Sequence, residues 1–238
     1  MTEITDLDLD DTTQRRAVAI VGAHGKIGQL LAAELSRRGT LVLGVHRKPE
    51  QADAVRATGA VSVLHDLEAD TAEQLAEAMR VAADGDVDAI VFAAGAGPGS
   101  GPARKATVDL GGSTQSIDAA RWAGVGRFVQ VSFIGADRPP SKTGDASWDA
   151  YHRAKHDADA LLRDTQLDWT IVRPGSVTDE PGTGLVSIGE DLGRGDTSRA
   201  NVALLIAEVL ETPSTIRRTI DVLDGETPLA EALARDSS

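Results

Sequence analysis

The sequence contains no cysteine. That absence excludes disulfides, thiolate metal sites and a cysteine nucleophile together, and it fits a reducing, cytoplasmic setting. Aromatic residues are scarce: 3% of 238 residues, with three Trp, three Phe and a single Tyr. Basic residues are outnumbered, 24 Lys and Arg against 37 Asp and Glu, for a formal net charge of −13. A surface of that sign repels phosphate backbones and anionic lipid headgroups. Nucleic acid and membranes are therefore poor partners, and a small-molecule substrate is expected. No apolar run approaches the roughly 20 residues of a spanning helix. Near the start, Glu3, Asp6, Asp8, Asp10 and Asp11 stand without an early basic residue. That is the opposite of a secretory signal, and residues 1–13 are expected to form a disordered acidic tail.

What is present suffices for a core, with 41% hydrophobic and 26% charged residues. From Ala17 the chain alternates short β-branched runs with amphipathic segments. Strands are expected at Ala17–Val21, Leu41–Val45, Val61–Leu64, Val87–Ala93, Gly126–Val131, Trp169–Val172 and, last, Thr219–Leu223. Helices are expected at Lys26–Arg38, Pro49–Thr58, Thr71–Arg80 (capped by Thr71 or Asp70), within Lys105–Trp122, at Trp148–Thr165 and at Ser198–Leu210. This rhythm predicts an α/β fold, a doubly wound parallel sheet of Rossmann type. It forms a single domain over residues 14–238 with a small C-terminal substrate-side extension.

Val18–Gly28 reads V-A-I-V-G-A-H-G-K-I-G. Glycines at 22, 25 and 28 lie between a strand and a helix. Gly22 permits the tight turn, Gly25 lets the backbone approach a pyrophosphate, and Gly28 lets helix and strand pack closely. His24, Lys26 and Ile27 fall within the same turn, and the helix start offers N–H groups and positive dipole to phosphate. A Walker phosphate loop does not fit, because Ile27 stands where Ser or Thr should follow the lysine. At the end of the second strand, an NAD site usually carries an acid for the ribose diol. Here the chain reads Val45-His46-Arg47-Lys48, and Arg47 with Lys48 suits the extra phosphate of NADP. Asp66, with Leu67 beside it, is placed to meet the adenine. Ala93, Ala94 and Gly95, after the fourth strand, complete the expected cofactor cleft.

Tyr151 and Lys155 stand four apart on a predicted helix and share one face. An ammonium beside a phenol lowers the phenol pKa, and such a tyrosine can protonate a carbonyl oxygen as hydride reaches carbon. Lys155 is also placed to bond the nicotinamide ribose. Ser132 ends the fifth strand, at the edge where ligands sit in such sheets, and suits holding a substrate oxygen. His152 and His156 share the four-residue spacing, but no third ligand or H-E-x-x-H glutamate accompanies them; a solvated helix face is expected and no metal site. No G-x-S-x-G elbow exists. Trp148, Trp169, Phe92 and Phe133 are read as packing residues, the two phenylalanines on strands.

G-A-H-G-K-I-G, the strand ending V-Q-V-S, Y-H-R-A-K, and L-D-W-T-I-V-R-P-G (Leu167–Gly175) together resemble the atypical short-chain dehydrogenase/reductases. The nearest likeness is to their NAD(P)H-binding group, which includes NmrA-like and flavin-reductase-like proteins, over roughly Arg16 to Gly175. The resemblance implies NADP held by the glycine turn, an active site of Ser132, Tyr151 and Lys155, and cofactor contact at Pro174 and Gly175. Asp109, in V-D-L-G-G, stands where the commoner family pattern has Asn and counts with the catalytic set.

The reading that follows is an NADP(H)-dependent oxidoreductase passing hydride to a carbonyl or similar small acceptor. A non-catalytic NADP(H)-binding regulator needs the turn but not the Tyr–Lys pair. A nucleotide-sugar epimerase or dehydratase shares the first half but carries a larger substrate region than the 63 residues after Gly175 (238 − 175).

Overall fold

Five consecutive apolar residues, Ala17–Val21, form β1, and every one of them is buried. A strand that is apolar on both faces belongs inside a covered sheet. The computed structural model describes residues 16–97, 99–139, 142–190 and 192–236, so the expected tail at 1–13 lies outside the described residues. The elements are, in order, β1, α1 (Lys26–Arg37), β2 (Leu41–His46), α2 (Ala52–Arg56) after a 3₁₀ turn at Pro49–Gln51, β3 (Val61–Leu64), α3 (Ala72–Ala83), β4 (Ala89–Phe92), α4 (Gly101–Arg104), α5 (Gly111–Ala123), β5 (Arg127–Val131) and α6 (Ala146–Arg163). They continue with β6 (Asp168–Pro174), β7 (Ser176–Thr178), β8 (Leu185–Gly189), β9 (Asp196–Ser198), α7 (Arg199–Glu211), β10 (Arg218–Asp224), β11 (Thr227–Pro228) and α8 (Leu229–Asp236). A π-helical turn, Lys105–Leu110, joins α4 to α5.

Nine strands form one sheet in the order β11-β8-β10-β6-β5-β4-β1-β2-β3. From β3 to β10 every pairing is parallel, while β8 runs antiparallel to β10 and β11 to β8. The fold is thus a doubly wound Rossmann-type α/β domain with an antiparallel edge. Thr219–Leu223 is not the last strand: it lies inside the sheet as β10, between β6 and β8. β7 and β9 pair separately as a two-stranded parallel ribbon.

Alternation along β1 divides the core. Val18 and Ile20 pack with Leu31 and Leu35 of α1 and with the apolar face of α7, from Val202 to Leu210. Ala19 and Val21 pack on the opposite face with Leu75 and Met79 of α3, Ile117 and Ala120 of α5, and Leu162 of α6. Local signals fix the helix starts. Thr71 accepts from Gln74 N and Gln74 reciprocates, closing a capping box on α3. Asp145 accepts from the amides of Ser147 and Trp148, which starts α6 two residues before the expected Trp148.

β1 hydrogen-bonds to β2 on one side and to β4 on the other. The chain order reverses there, and the carboxyl ends of β1 and β4 open a crevice, the position where sheets of this type hold ligands.

Candidate active site

The glycine turn builds the floor of that crevice. Gly22 has φ +94°, and a Cβ on it would lie 2.7 Å from Ala94 Cα and from Ala94 N. Only glycine avoids both the strain and the clash. A Cβ on Gly28 would press into the Gly22 carbonyl oxygen. Gly25 differs: its φ is −67° and its nearest obstacle would be Gly22 O at 3.2 Å, so the fold does not demand glycine there. Gly25 caps α1 without any side-chain hydrogen bond. The opening N–H groups of α1 are left for a ligand, and a bare Cα stands where the ligand would approach. That cradle fits a dinucleotide pyrophosphate.

The crevice encloses about 280 Å³, with walls that include Gly22, Gly25, Arg47, Asp66 and Ala94. Of the expected cofactor residues, His24, Leu67, Ala93 and Gly95 also line it. Lys26, Ile27, Gly28, Lys48, Lys155, Pro174 and Gly175 do not. Lys26 is ion-paired with Asp179, which also holds Arg199 at 2.6 Å. Lys48 Nζ lies 3.6 Å from Glu50. Pro174 ends β6, and its carbonyl accepts from Ile134 N at 3.0 Å. A Cβ on Gly175 would collide with Gly195 and Leu223, so glycine there lets β6 pack against the ribbon.

The second cation of the crevice is one the sequence reading missed. Arg104, from α4, lines the wall with Arg47. Both meet Glu68, Arg104 Nη2 at 2.5 Å and Arg47 Nη1 at 3.3 Å from Oε2, while Thr107 Oγ1 donates to Oε1 at 2.7 Å. The hydrogen bond from Arg104 is the main reason that the Glu68 carboxyl is held below its ordinary pKa.

The catalytic candidates stand beside the loop Ala93–Gly97. The π-helical turn rotates Lys105, Val108 and Asp109 inward, and such turns cluster at functional sites. Asp109 Oδ2 accepts from Ala96 N at 3.0 Å, and Lys105 Nζ donates to Gly97 O at 2.8 Å while lying 5.4 Å from the centre of the Tyr151 ring. Lys155 is buried, donates to Val131 O at 2.8 Å, and sits 5.6 Å from the Phe92 ring centre. Burial pulls its ammonium below the ordinary lysine value. Tyr151 has no hydrogen-bond partner for its phenol among the described residues. Desolvation, reinforced by Asp109 and Asp159, pushes that phenol above its ordinary pKa. The expectation that Lys155 lowers the phenol pKa is thus reversed here, because the two buried carboxylates and the loss of water prevail.

Ser132 follows β5 and donates to Asp159 Oδ2 at 2.8 Å. Gln130 Nε2 donates to Asp159 Oδ1 at 2.7 Å, and Ser113 Oγ to Gln130 Oε1 at 2.5 Å. All four residues are buried, and burial raises the Asp159 carboxyl pKa despite these donors. Asp159 was legible in principle: it continues the face of Tyr151 and Lys155 by one further four-residue step, and a charged residue on an inward stripe signals a polar network.

Aromatic residues gather over this site despite their scarcity. Phe133 lies beyond β5 rather than on a strand. Its ring centre is 5.5 Å from Trp148, 5.3 Å from Tyr151 and 5.4 Å from His152. Trp148 remains 43% exposed. His152 and His156 do not form a solvated face. His152 is buried in this cluster and His156 Nδ1 bonds Ala136 O at 2.8 Å. Among the described residues no cluster of potential metal ligands exists.

A sequence profile described as NAD(P)H-binding matches residues 22–213. The chain belongs to this NAD(P)H-binding family. It is 39% identical over 219 residues (92% of this chain, 99% of the relative) to a Bacillus subtilis (strain 168) protein named "Uncharacterized sugar epimerase YhfK". A solved structure from Bacillus halodurans, described provisionally as an NAD-dependent epimerase/dehydratase, superposes with TM-score 0.81. The two chains are 34% identical, and the match covers 92% of this chain and 99% of that one. The oxidoreductase ylbE from Lactococcus lactis gives TM-score 0.79 at 31% identity, covering 92% and 95%. The protein is therefore an NAD(P)H-binding, oxidoreductase-like member of the atypical short-chain dehydrogenase/reductase group. No helix among the described residues is long and apolar enough to cross a membrane.

Proposed function

We propose that this protein is an NADPH-dependent reductase of a small carbonyl or similar acceptor, working in the cytoplasm. The observation that carries the reading is the Tyr151 phenol. Among the described residues it has no hydrogen-bond partner, desolvation and two carboxylates hold it protonated, and its ring centre lies 5.4 Å from Lys105, which is bonded to Gly97 O of the loop that leads on from the crevice wall. Bound NADPH would supply hydride at its nicotinamide. The chain must then hold the acceptor and deliver a proton to its oxygen. A carbonyl that gains hydride becomes an alkoxide, a stronger base than phenolate, so a phenol with a raised pKa still transfers its proton downhill. The same shift opposes alcohol oxidation, which needs the phenolate. Lys105, a buried cation 5.4 Å from the centre of the ring, is placed to stabilise the phenolate after transfer. Arg47 and Arg104 on the crevice wall favour NADP over NAD, since their forks match a phosphate. The net charge of −13 favours a small molecule over nucleic acid or a lipid surface.

An epimerase or dehydratase is a second reading, favoured by one contact. Ser132 gives its proton to Asp159, so its lone pairs are what it offers a ligand, and those accept from a substrate hydroxyl rather than donate to a carbonyl. The two readings part on stoichiometry. A reductase consumes NADPH in step with acceptor, whereas an epimerase recycles its cofactor and shows no net consumption. The test is NADPH oxidation followed against a panel of carbonyls, quinones and flavins, with nucleotide sugars assayed in parallel. Acceptor-dependent oxidation that collapses in Tyr151→Phe supports the reductase. Sugar interconversion without net oxidation sinks it.

A further inference from the structure

Four groups converge at the adenosine end of the crevice. Arg47 comes from the end of β2, Arg104 from α4, Thr107 from the π-helical turn, and Glu68 from the turn after β3. Arg104 presents Nε and Nη2 to the two Glu68 oxygens at 3.4 and 2.5 Å, Arg47 Nη1 reaches Oε2 at 3.3 Å, and Thr107 Oγ1 reaches Oε1 at 2.7 Å. Two guanidinium groups and a hydroxyl around one carboxylate is the donor set that proteins use for a phosphate. Arg47, Glu68 and Arg104 all line the crevice.

We infer that this cluster is a phosphomonoester site occupied from within by Glu68, which mimics the ribose 2′-phosphate of NADP and sets the preference between NADP and NAD. The inference rests on the cofactor reading above and deepens it. Arg47 and Arg104 bring two positive charges to the site, against the carboxylates of Glu68 and of Asp66, which also lines the crevice. A 2′-phosphate carrying roughly two negative charges gains from Arg47 and Arg104 but must expel or tolerate Glu68. A 2′-hydroxyl has no such conflict, and Glu68 can remain in place.

Hydrogen bonds close the backbone turn around Glu68 independently of its side chain. Ala69 N and Asp70 N donate to Asp66 O at 3.0 and 2.8 Å, and Asp66 N donates to Asp70 Oδ2 at 2.8 Å. Glu68 N is fixed to Asp66 Oδ1 at 3.0 Å. The turn therefore stays closed when the carboxylate swings out, and the arginines keep their anchor positions at β2 and α4. An intramolecular anion of this kind weakens NADPH binding without damaging the arginines, and it holds both forks ordered until the phosphate arrives.

The experiment is calorimetric titration of wild type and Glu68→Gln with NADPH, NADH, 2′,5′-ADP and 5′-AMP. Thermal melts check the fold, and Glu68→Ala serves as a second variant. The expected result is at least fivefold tighter NADPH and 2′,5′-ADP binding in both variants, with NADH and 5′-AMP changed less than twofold. Unchanged or weaker NADPH binding overturns the inference, because Glu68 then does not compete with the phosphate. NADH weakened tenfold also overturns it, since Glu68 then binds the ribose diol directly. Failure of the cofactor reading looks different: the wild-type chain would bind neither NADPH nor 2′,5′-ADP.

Discussion

Ser132 Oγ donates to Asp159 Oδ2 at 2.8 Å, and both residues are buried. Asp159 sits at 0% exposure with its carboxyl raised above the ordinary aspartate value by desolvation. A carboxyl raised in the folded state binds protons more tightly than in the unfolded chain. Its contribution to stability is therefore complete below the unfolded value and is lost as pH rises through the folded one. Asp159→Asn removes that titration while keeping one acceptor for Gln130. The stability of the variant relative to wild type should rise as pH goes from about 4 to about 8. Melting temperatures of both proteins across that range check it. A difference that stays flat or falls with pH would show that Asp159 is not a desolvated carboxylate.

Tyr151→Phe keeps the ring that packs on Phe133 and Trp148 and removes only the hydroxyl. Turnover should fall about 100-fold or more, the scale of a lost general acid, while the NADPH dissociation constant is unchanged. Because the phenol is held above its ordinary pKa, the wild-type reductive rate should show no loss from tyrosine ionisation up to the usual phenol range near about 10. Alcohol oxidation should stay slow at neutral pH. Steady-state rates in both directions across pH test this, and turnover that survives in the Phe variant refutes the tyrosine role.

Gly22 and Gly25 should behave oppositely although they share one motif. Gly22→Ala forces a Cβ to 2.7 Å from the Ala94 backbone at φ +94°, so it should destabilise the fold by about 1 kcal/mol or more. At Gly25 an added Cβ would lie 3.2 Å from Gly22 O at an ordinary negative φ, so Gly25→Val should cost less stability than Gly22→Ala and should still fold. Its side chain occupies the approach to the α1 N-terminus, so NADPH binding should be lost. Normal binding by a folded Gly25→Val chain would place the pyrophosphate elsewhere.

The contrast shows how far the sequence is readable. Strand β1, the turn and α1 are legible because their signals are local: an apolar run, spaced glycines and 3.6-residue periodicity. The stretch Val61–Leu64 was legible for the same reason. The antiparallel edge was not. β8 is five residues ending in glycine and β11 only two, too short for any period to register, and the residues of β10 that pair with β8 lie more than 30 residues further along the chain. Tyr151, Lys155 and Ser132 could be picked out by spacing. Their electrostatics could not, because Asp109 arrives on a π-helical turn and Asp159 acts through burial. Glu68 was unreadable as a site residue, since one of three acids in the turn Asp66–Asp70 acquires its meaning only from Arg47 and Arg104, which reach it from separate elements.

Arg47-Lys48 reads in the sequence as one basic pair, but in the fold the pair that faces the crevice is Arg47 and Arg104. Lys48 Nζ turns toward Glu50, with half its side chain in solvent. An exposed lysine with an acidic neighbour exerts a screened, weak pull on a phosphate. A guanidinium on the crevice wall can bind two phosphate oxygens at once. Lys48→Ala should therefore change the NADPH dissociation constant less than twofold. Arg104→Ala should weaken NADPH at least tenfold, about 1.4 kcal/mol, while leaving NADH within about threefold, a difference of about 0.6 kcal/mol. Arg47→Ala should resemble Arg104→Ala. Because Glu68 also meets Arg47, the double variant Arg104→Ala, Glu68→Gln should bind NADPH more tightly than Arg104→Ala alone. Titrations of the four variants with both cofactors measure this. A Lys48→Ala chain that loses NADPH as strongly as Arg104→Ala would return the phosphate site to the strand end and remove Arg104 from it.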